Sequence, residues 1–131
     1  MNKRDIKILE RMIANPDIKG KGSLRKVLWL NTVKPKYKVG DCYKVTDSGH
    51  RVYGVPVKDF RAKVERIEYR WDASIQYGRV VYVMTAHVVN GDKEMDANIY
   101  MAEYSIGRKV KDNVNVIEGK DKYPESMDVY V

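Results

Sequence analysis

The chain has 131 residues, of which 44% are hydrophobic and 33% are charged. This is enough apolar material for one domain with a core, and it excludes a globally disordered chain. No apolar run approaches the roughly 20 residues of a membrane-spanning helix, and the N-terminus lacks the apolar core of a secretory signal. A single cysteine, Cys42, excludes a disulfide framework. We therefore expect one domain over residues 1–131, with no membrane partner.

Positive charge is concentrated in the first third of the chain. The formal net charge is +7. Residues 1–40 hold eleven Lys or Arg and three Asp or Glu, whereas residues 41–131 hold fourteen and fifteen. Such segregation is typical of proteins with an acidic partner, such as nucleic acid, an acidic protein or a membrane surface. The alternative is a lysine-rich helical face that is only solvated.

The first predicted element is a helix over residues 2–14. Asn2 is a candidate N-cap, and Asp5 follows three residues later in a pattern that resembles a capping box. Pro16 ends the helix, because the residue before a proline avoids helical geometry. Apolar residues recur at helical spacing at Ile6, Leu9, Met12 and Ile13. Four cations lie largely off that stripe: Lys3, Arg4, Lys7 and Arg11.

A second helix is predicted from Leu24 to Asn31, with Ser23 as its N-cap. The residues expected to face the core are Leu24, Val27, Leu28 and Leu30. The linker between the two helices is about eight residues, longer than the three or four of a DNA-binding helix-turn-helix. Recognition of a DNA groove by this helix is therefore disfavoured.

Beyond Lys36 apolar residues recur at every second position, which predicts five to seven short strands. Residues 79–90 form the strongest strand. Its apolar residues on both faces predict a central position covered on both sides. Asn90-Gly91 predicts a tight hairpin turn to a return strand over residues 94–101. A phase slip at Glu65-Arg66 predicts a bulge in the strand that begins at Phe60.

The stretch from Lys36 to Val45 places Tyr37 and Val39 before Gly40-Asp41 and an alternating strand after it. It resembles the opening strand of SH3-like barrels of the KOW and Tudor kind, with residues 60–67 as the following bent strand. The resemblance covers about a quarter of the chain. It implies a nucleic-acid- or protein-binding module rather than an enzyme, and it implies no site residues.

Together these elements predict an α+β fold in one domain. A basic helical pair in residues 1–33 is expected to pack on a strongly bent antiparallel sheet, or a small SH3-like or OB-like β-barrel, in residues 34–117. The tail over residues 118–131 ends in apolar residues and is a candidate docking strand.

Nucleic-acid binding is the function that these residues predict. Cations between residues 19 and 38 would contact phosphates, and interleaved aromatic residues would stack on bases. Arg61 and Lys63 share one face of a strand, opposite Ala62. The alternative role of the tyrosines is to fill the core or cover its rim. The candidate binding residues are Lys19, Lys21, Arg25, Lys26, Lys34, Lys36, Tyr37, Lys38, Arg51, Tyr53, Arg61, Lys63, Arg70 and Trp71.

A protein-binding role is the alternative from a different class. In size and style the chain is similar to small phage or mobile-element proteins that bind and inhibit or redirect a host protein, for example a nucleic-acid-handling or defence enzyme. Exposed Tyr, Trp and Arg are enriched at such interfaces. The sequence leaves open DNA, RNA or a protein as partner, and also the oligomeric state.

Catalysis has no recognisable motif in this sequence. His50 and His87 are 37 residues apart, and His87 is expected to be a hydrogen-bonded residue of the central strand. Asp92, Glu94 and Asp96 resemble a solubilising acidic edge more than a cation site. We therefore expect no catalytic residue, no metal site and no cofactor, in a cytoplasmic protein (the host cytoplasm if phage-encoded).

Overall fold

The computed structural model describes residues 1–46 and 60–116, together with the backbone of residues 51–52, 55–56 and 129–130. Two α-helices come first, α1 (Lys3–Ala14) and α2 (Gly22–Thr32). The strands that follow are β1 (Cys42–Val45), β2 (Arg51–Val52), β3 (Val55–Pro56), β4 (Arg61–Asp72), β5 (Tyr77–Asn90), β6 (Lys93–Ala102), β7 (Ile106–Val110), β8 (Val114–Val116) and β9 (Val129–Tyr130). No helix in these residues is both long and apolar enough to cross a membrane.

The chain divides into two compact units. The helical unit comprises residues 1–35 and 69–80, and the sheet unit comprises residues 36–68 and 81–131. Strands β4 and β5 therefore contribute residues to both units. In this division the tip of the β4–β5 hairpin groups with the helices. The single domain expected over residues 1–131 stays a prediction.

Helix α1 begins where the capping pattern predicts. The Asp5 backbone N–H donates to the Asn2 side-chain oxygen at 2.9 Å, so one of the free amides of the first turn is satisfied. The helix ends at Ala14, and Asn15 leaves it in an extended conformation immediately before Pro16. The predicted cap and stop of this helix are both confirmed.

Helix α2 begins earlier than predicted. Its first residue is Gly22, so Ser23 lies inside the helix and is not the N-cap. The reason is that Lys21 already has helical torsion angles, and its carbonyl accepts from the Arg25 N–H at 2.9 Å. Two of the residues expected to face the core, Val27 and Leu30, are exposed instead.

The main sheet has the strand order β6-β5-β4-β1-β7, and β8 pairs with β5. The β8 pairing is parallel, at His87–Val89, whereas the registers of β1 with β4, β1 with β7 and β5 with β6 are antiparallel. The α+β prediction is thus confirmed by two helices and a six-stranded, largely antiparallel sheet. Among the described residues, β6 and β7 lie at the two ends of this strand order and do not pair with each other.

A second, three-stranded sheet has the order β3-β2-β9. In it, Val129 and Tyr130 pair with β2 in antiparallel register, so this end of the tail does form a strand. The bulge predicted at Glu65-Arg66 stays a prediction. Both residues are exposed, which breaks the alternation of buried and exposed side chains along β4.

Buried apolar side chains that the structure describes all belong to the sheet unit. The alternating pattern predicted for β1 and the start of β4 is confirmed. Strand β5 is fully buried along the face of Tyr82, Met84, Ala86 and Val88, but on its other face Val83 alone is buried. The prediction that this strand is covered on both faces is therefore confirmed only in part. The buried apolar residues are Tyr37, Tyr43, Val45, Phe60, Ala62, Val64, Tyr82, Val83, Met84, Ala86, Val88, Ala97, Ile99, Met101 and Ile106.

Three tyrosines meet at one edge of this core. The Tyr37 ring lies 4.7 Å from Tyr43 and 5.4 Å from Tyr82, both edge-on. The Tyr82 hydroxyl accepts from the Lys36 N–H at 2.9 Å and donates to the Glu103 carboxylate at 2.9 Å. Burial, and then this bond to Glu103, raise the pKa of Tyr82 to about 12. The phenol therefore stays neutral and serves as a structural hydrogen-bonding centre.

Candidate nucleic-acid interface

All of the net charge of the protein belongs to the helical unit. That unit carries eleven Lys or Arg and four Asp or Glu, which is +7. The sheet unit carries fourteen of each and is formally neutral. The segregation seen along the sequence is therefore also a segregation in space.

Helix α1 carries the densest group of cations. Lys3, Lys7 and Arg11 are spaced four residues apart and form a stripe about 12 Å long, with Arg4 beside it. Together with Ile8 these four cations line a shallow cleft along the helix. Within the described residues, none of the four has a carboxylate within 4 Å. These four cations lie off the predicted apolar stripe and are not among the predicted binding residues, although their four-residue spacing was the available signal.

Half of the predicted binding residues belong to the helical unit: Lys19, Lys21, Arg25, Lys26, Lys34, Arg70 and Trp71. Lys19, Lys26 and Lys34 are exposed, and Lys21 is half-buried. Arg25 is half-buried as well, because its guanidinium donates to the side-chain oxygen of Gln76 in the β4–β5 turn. These cations therefore belong to the same unit as the α1 stripe.

The remaining predicted residues belong to the sheet unit: Lys36, Tyr37, Lys38, Arg51, Tyr53, Arg61 and Lys63. Tyr53 and the side chain of Arg51 lie outside the described residues. Lys36 and Lys38 are exposed. The trio of Lys34, Lys36 and Lys38, close together in sequence, is therefore divided between the two units.

The structure does not support Tyr37 as a binding residue. Its side chain is only 8% exposed, and its hydroxyl donates to the Ile106 carbonyl at 2.8 Å. The ring is part of the core and has no free face for a base. Tyr37 therefore has the alternative role, that of a tyrosine that fills the core. Arg61 and Lys63 do share a face opposite buried Ala62, as predicted.

A second feature of the helical unit is a groove of about 350 Å³ between the helices and the β4–β5 hairpin. We call it the aromatic groove. Trp29 lies at its centre, with its ring centroid 6.0 Å from that of Trp71 and 6.2 Å from that of Tyr69. A Cβ atom placed on Gly78 would overlap the Trp29 indole, so the indole lies directly on the backbone of β5. The groove is lined by Ile13, Arg25, Leu28, Trp29, Thr32, Trp71, Gln76, Tyr77 and Gly78.

Some charged groups of the sheet unit are paired with one another, in contrast to the cations of α1. Arg66 lies 2.9 Å from Glu68, and Lys109 lies 3.5 Å from Asp41. Arg61, one of the predicted binding residues, lies 3.9 Å from Asp112. Three cations of this unit are therefore already paired with carboxylates.

His87 is held between two strands. Its Nδ1 lies 2.6 Å from Asp96 and its Nε2 lies 3.8 Å from Glu94, across the β5–β6 hairpin. The hydrogen bond to Asp96, followed by the negative charges of both carboxylates, raises the pKa of His87 above its ordinary value. The expectation of a hydrogen-bonded histidine in this strand is confirmed.

No group of three or more His, Cys, Asp or Glu side chains within the described residues is arranged to hold a metal ion. Cys42 is half-buried, and burial raises the pKa of its thiol, which keeps the thiol protonated. The protein matches no family model, no curated protein and no solved structure. The charges and contacts described above are therefore the basis on which its function is inferred.

Proposed function

We propose that the protein is a non-enzymatic nucleic-acid-binding module, and that its helical unit holds the phosphate backbone. One observation carries the proposal: the whole net charge of +7 lies in this unit. The densest part is the stripe of Lys3, Lys7 and Arg11 with Arg4, which makes no ion pair within the described residues. The proposal includes a cytoplasmic location, where a lone thiol such as Cys42 stays reduced.

Nucleic acid suits this surface because its phosphates form a regular line of negative charge. Each Lys or Arg that neutralises a phosphate releases condensed counterions, which makes the affinity strongly salt-dependent. A row of cations along one helix, with no carboxylate within 4 Å among the described residues, matches such a polyanion. The sheet unit, whose formal net charge is zero, offers much less to it.

The direct test measures binding to labelled single- and double-stranded oligonucleotides between about 50 and 300 mM salt. We expect tight binding with a steep decline in affinity as salt rises. Replacing Lys3, Lys7 and Arg11 by Gln should lower the magnitude of the log-log salt slope for duplex by about 2.7, which is about 0.9 for each lost phosphate contact.

A matched control variant removes the same charge from the neutral unit. Lys44, Arg108 and Lys111 of the sheet unit make no ion pair within the described residues, and all three are replaced by Gln. This variant should keep the affinity and the slope of the parent protein. Equal losses in both variants would mean that binding follows total charge only. Weak, non-saturating binding of the parent protein would overturn the proposal.

Apolar residues exposed on the same unit favour one other candidate function, the binding of a host protein with an acidic surface. Ile8 and Met12 on α1, and Val27 and Leu30 on α2, are all exposed beside the cations. A protein interface of this kind depends on buried apolar anchors. Replacing Ile8 and Met12 by Ser should then abolish capture of that protein, whereas a nucleic-acid interaction would change little.

A further inference from the structure

We propose that the aromatic groove receives one unstacked base, so that the ligand is a single-stranded nucleic acid rather than a duplex. The inference rests on the proposed function and narrows it to a substrate class. It assigns a second contact to the helical unit: cations hold the backbone, and Trp71 and Tyr77 stack on a base.

The aromatic rings of this groove are only partly covered by other groups of the protein. Trp29 and Trp71 are tilted by 41° with their centroids 6.0 Å apart, so they do not cover each other face to face. Both indoles are half-buried, and Tyr77 is 59% exposed. A base that stacks on such a surface buries ring area that the protein leaves in water.

The walls of the groove are built before any ligand arrives. The Trp29 indole lies against Gly78, where any side chain would overlap it. On the other side, Arg25 of α2 donates to Gln76 in the hairpin turn. Gln76 itself adopts a left-handed backbone conformation with φ of 50°, which is unusual for a residue other than glycine. These contacts fix α2 against the hairpin, and preorganised walls lower the entropic cost of binding.

Charge complementarity identifies the occupant as part of a polyanion. The groove belongs to the unit that carries the net charge of +7, and Arg25 lines one of its walls. A neutral aromatic ligand has no charge to pair with the cations of this unit, whereas a base attached to a phosphate backbone gains both stacking and charge pairing. In a duplex the base faces are stacked inside the helix, so only a single strand presents one to Trp71 and Tyr77.

The test uses the intrinsic fluorescence of the intact protein. Trp29 and Trp71 are the two tryptophans of the chain and both line the groove, so quenching reports its occupation directly. Unstructured DNA and RNA strands of about 12 nucleotides and one sequence are compared with the corresponding duplex at one salt concentration. We expect quenching by the single strands and weaker binding, with little quenching, by the duplex. A difference between the DNA and RNA arms identifies the preferred backbone.

Tyr77→Leu removes one ring from an exposed position without touching the core. It should weaken single-strand binding roughly 5- to 150-fold, the range that corresponds to loss of one base stack, and leave duplex affinity and the salt slope unchanged. Tyr77→Phe keeps the ring and should retain the affinity. The matched control is Tyr104→Leu, because Tyr104 is 87% exposed in the neutral sheet unit and should have no effect.

Several results would contradict base binding by the groove without contradicting the proposed function. Tyr77→Leu could weaken single strand and duplex equally, or weaken neither, while the α1 variant still reduces the salt slope. Dimerisation of the protein in sedimentation experiments, lost in Tyr77→Leu, would assign the groove to a second copy of the chain. Failure of every oligonucleotide to bind would overturn both proposals together.

Discussion

The two units of this protein use their apolar and charged residues in opposite ways. In the described part of the sheet unit, fifteen apolar side chains are buried, and three cations pair with carboxylates. In the helical unit, which is described in full, no side chain is buried, and the α1 cations have no carboxylate within 4 Å among the described residues. One unit therefore has the features of a stable core, and the other has the features of a surface available to a ligand.

This difference has a thermodynamic consequence. Burial of apolar area is the main favourable term in folding, so substitutions in the sheet unit should alter the free energy of unfolding. Substitutions in the helical unit should alter binding or local helix stability and leave global stability nearly unchanged. The predictions below test that division, beginning with the largest effect.

The sharpest test compares one buried and one exposed apolar side chain. Met84 is fully buried in β5, whereas Leu30 in α2 is 44% exposed. Met84→Ala should lower the free energy of unfolding by about 2–5 kcal/mol, because it removes buried area and leaves a cavity. Leu30→Ala should change it by no more than about 0.5 kcal/mol. Urea denaturation of both variants measures the contrast, and similar losses would show that the helical unit also contributes to the cooperative core.

Tyr82→Phe should have the second-largest effect. The change leaves the Lys36 N–H and the Glu103 carboxylate without the hydroxyl that serves both. We expect a loss of about 1–3 kcal/mol in the free energy of unfolding, because two part-buried hydrogen bonds are lost at about 0.5–1.5 kcal/mol each. Tyr104→Phe is the matched control at an exposed position. Equal stability of the two variants would mean that the Tyr82 hydroxyl contributes nothing.

Removal of the α1 cap should act locally. Asn2→Ala removes the acceptor for the Asp5 N–H and should destabilise the helix by about 1 kcal/mol. Because no residue of α1 is buried, we expect faster amide exchange in α1 and unchanged exchange in β5. Asn2→Asp keeps an acceptor and should restore protection. Faster exchange in β5 as well would contradict the proposed separation.

The smallest effect is a pH dependence in the sheet unit. The pKa of His87 is raised in the folded protein, so its protonation stabilises the fold. That contribution is complete below the ordinary pKa of 6.5 and is lost as the pH rises through the higher folded value. Thermal unfolding should show the parent protein losing stability relative to His87→Gln as the pH rises above 6.5. Parallel curves for the two proteins would refute a role for the His87–Asp96 contact.

Local signals in the sequence determined much of the secondary structure. Asn2, Asp5 and Pro16 predict α1 because caps and helix stops act through neighbouring residues. Alternation around Tyr43 and Ala62 identifies the buried faces of β1 and β4, since strand side chains point to opposite sides in turn. Charge counts along the chain also indicate that the basic residues form a group. Each of these patterns is complete within a few positions.

Tertiary structure alone decided which distant residues meet. The grouping of the β4–β5 tip with the helices depends on Trp29 contacting Trp71 and Gly78, and no local pattern predicts a contact across more than forty residues. Tyr37 is buried against Tyr82 for the same reason, although its sequence neighbours Lys36 and Lys38 suggest an exposed ring. Periodicity shows which face of an element is apolar, but what covers that face is determined by long-range packing.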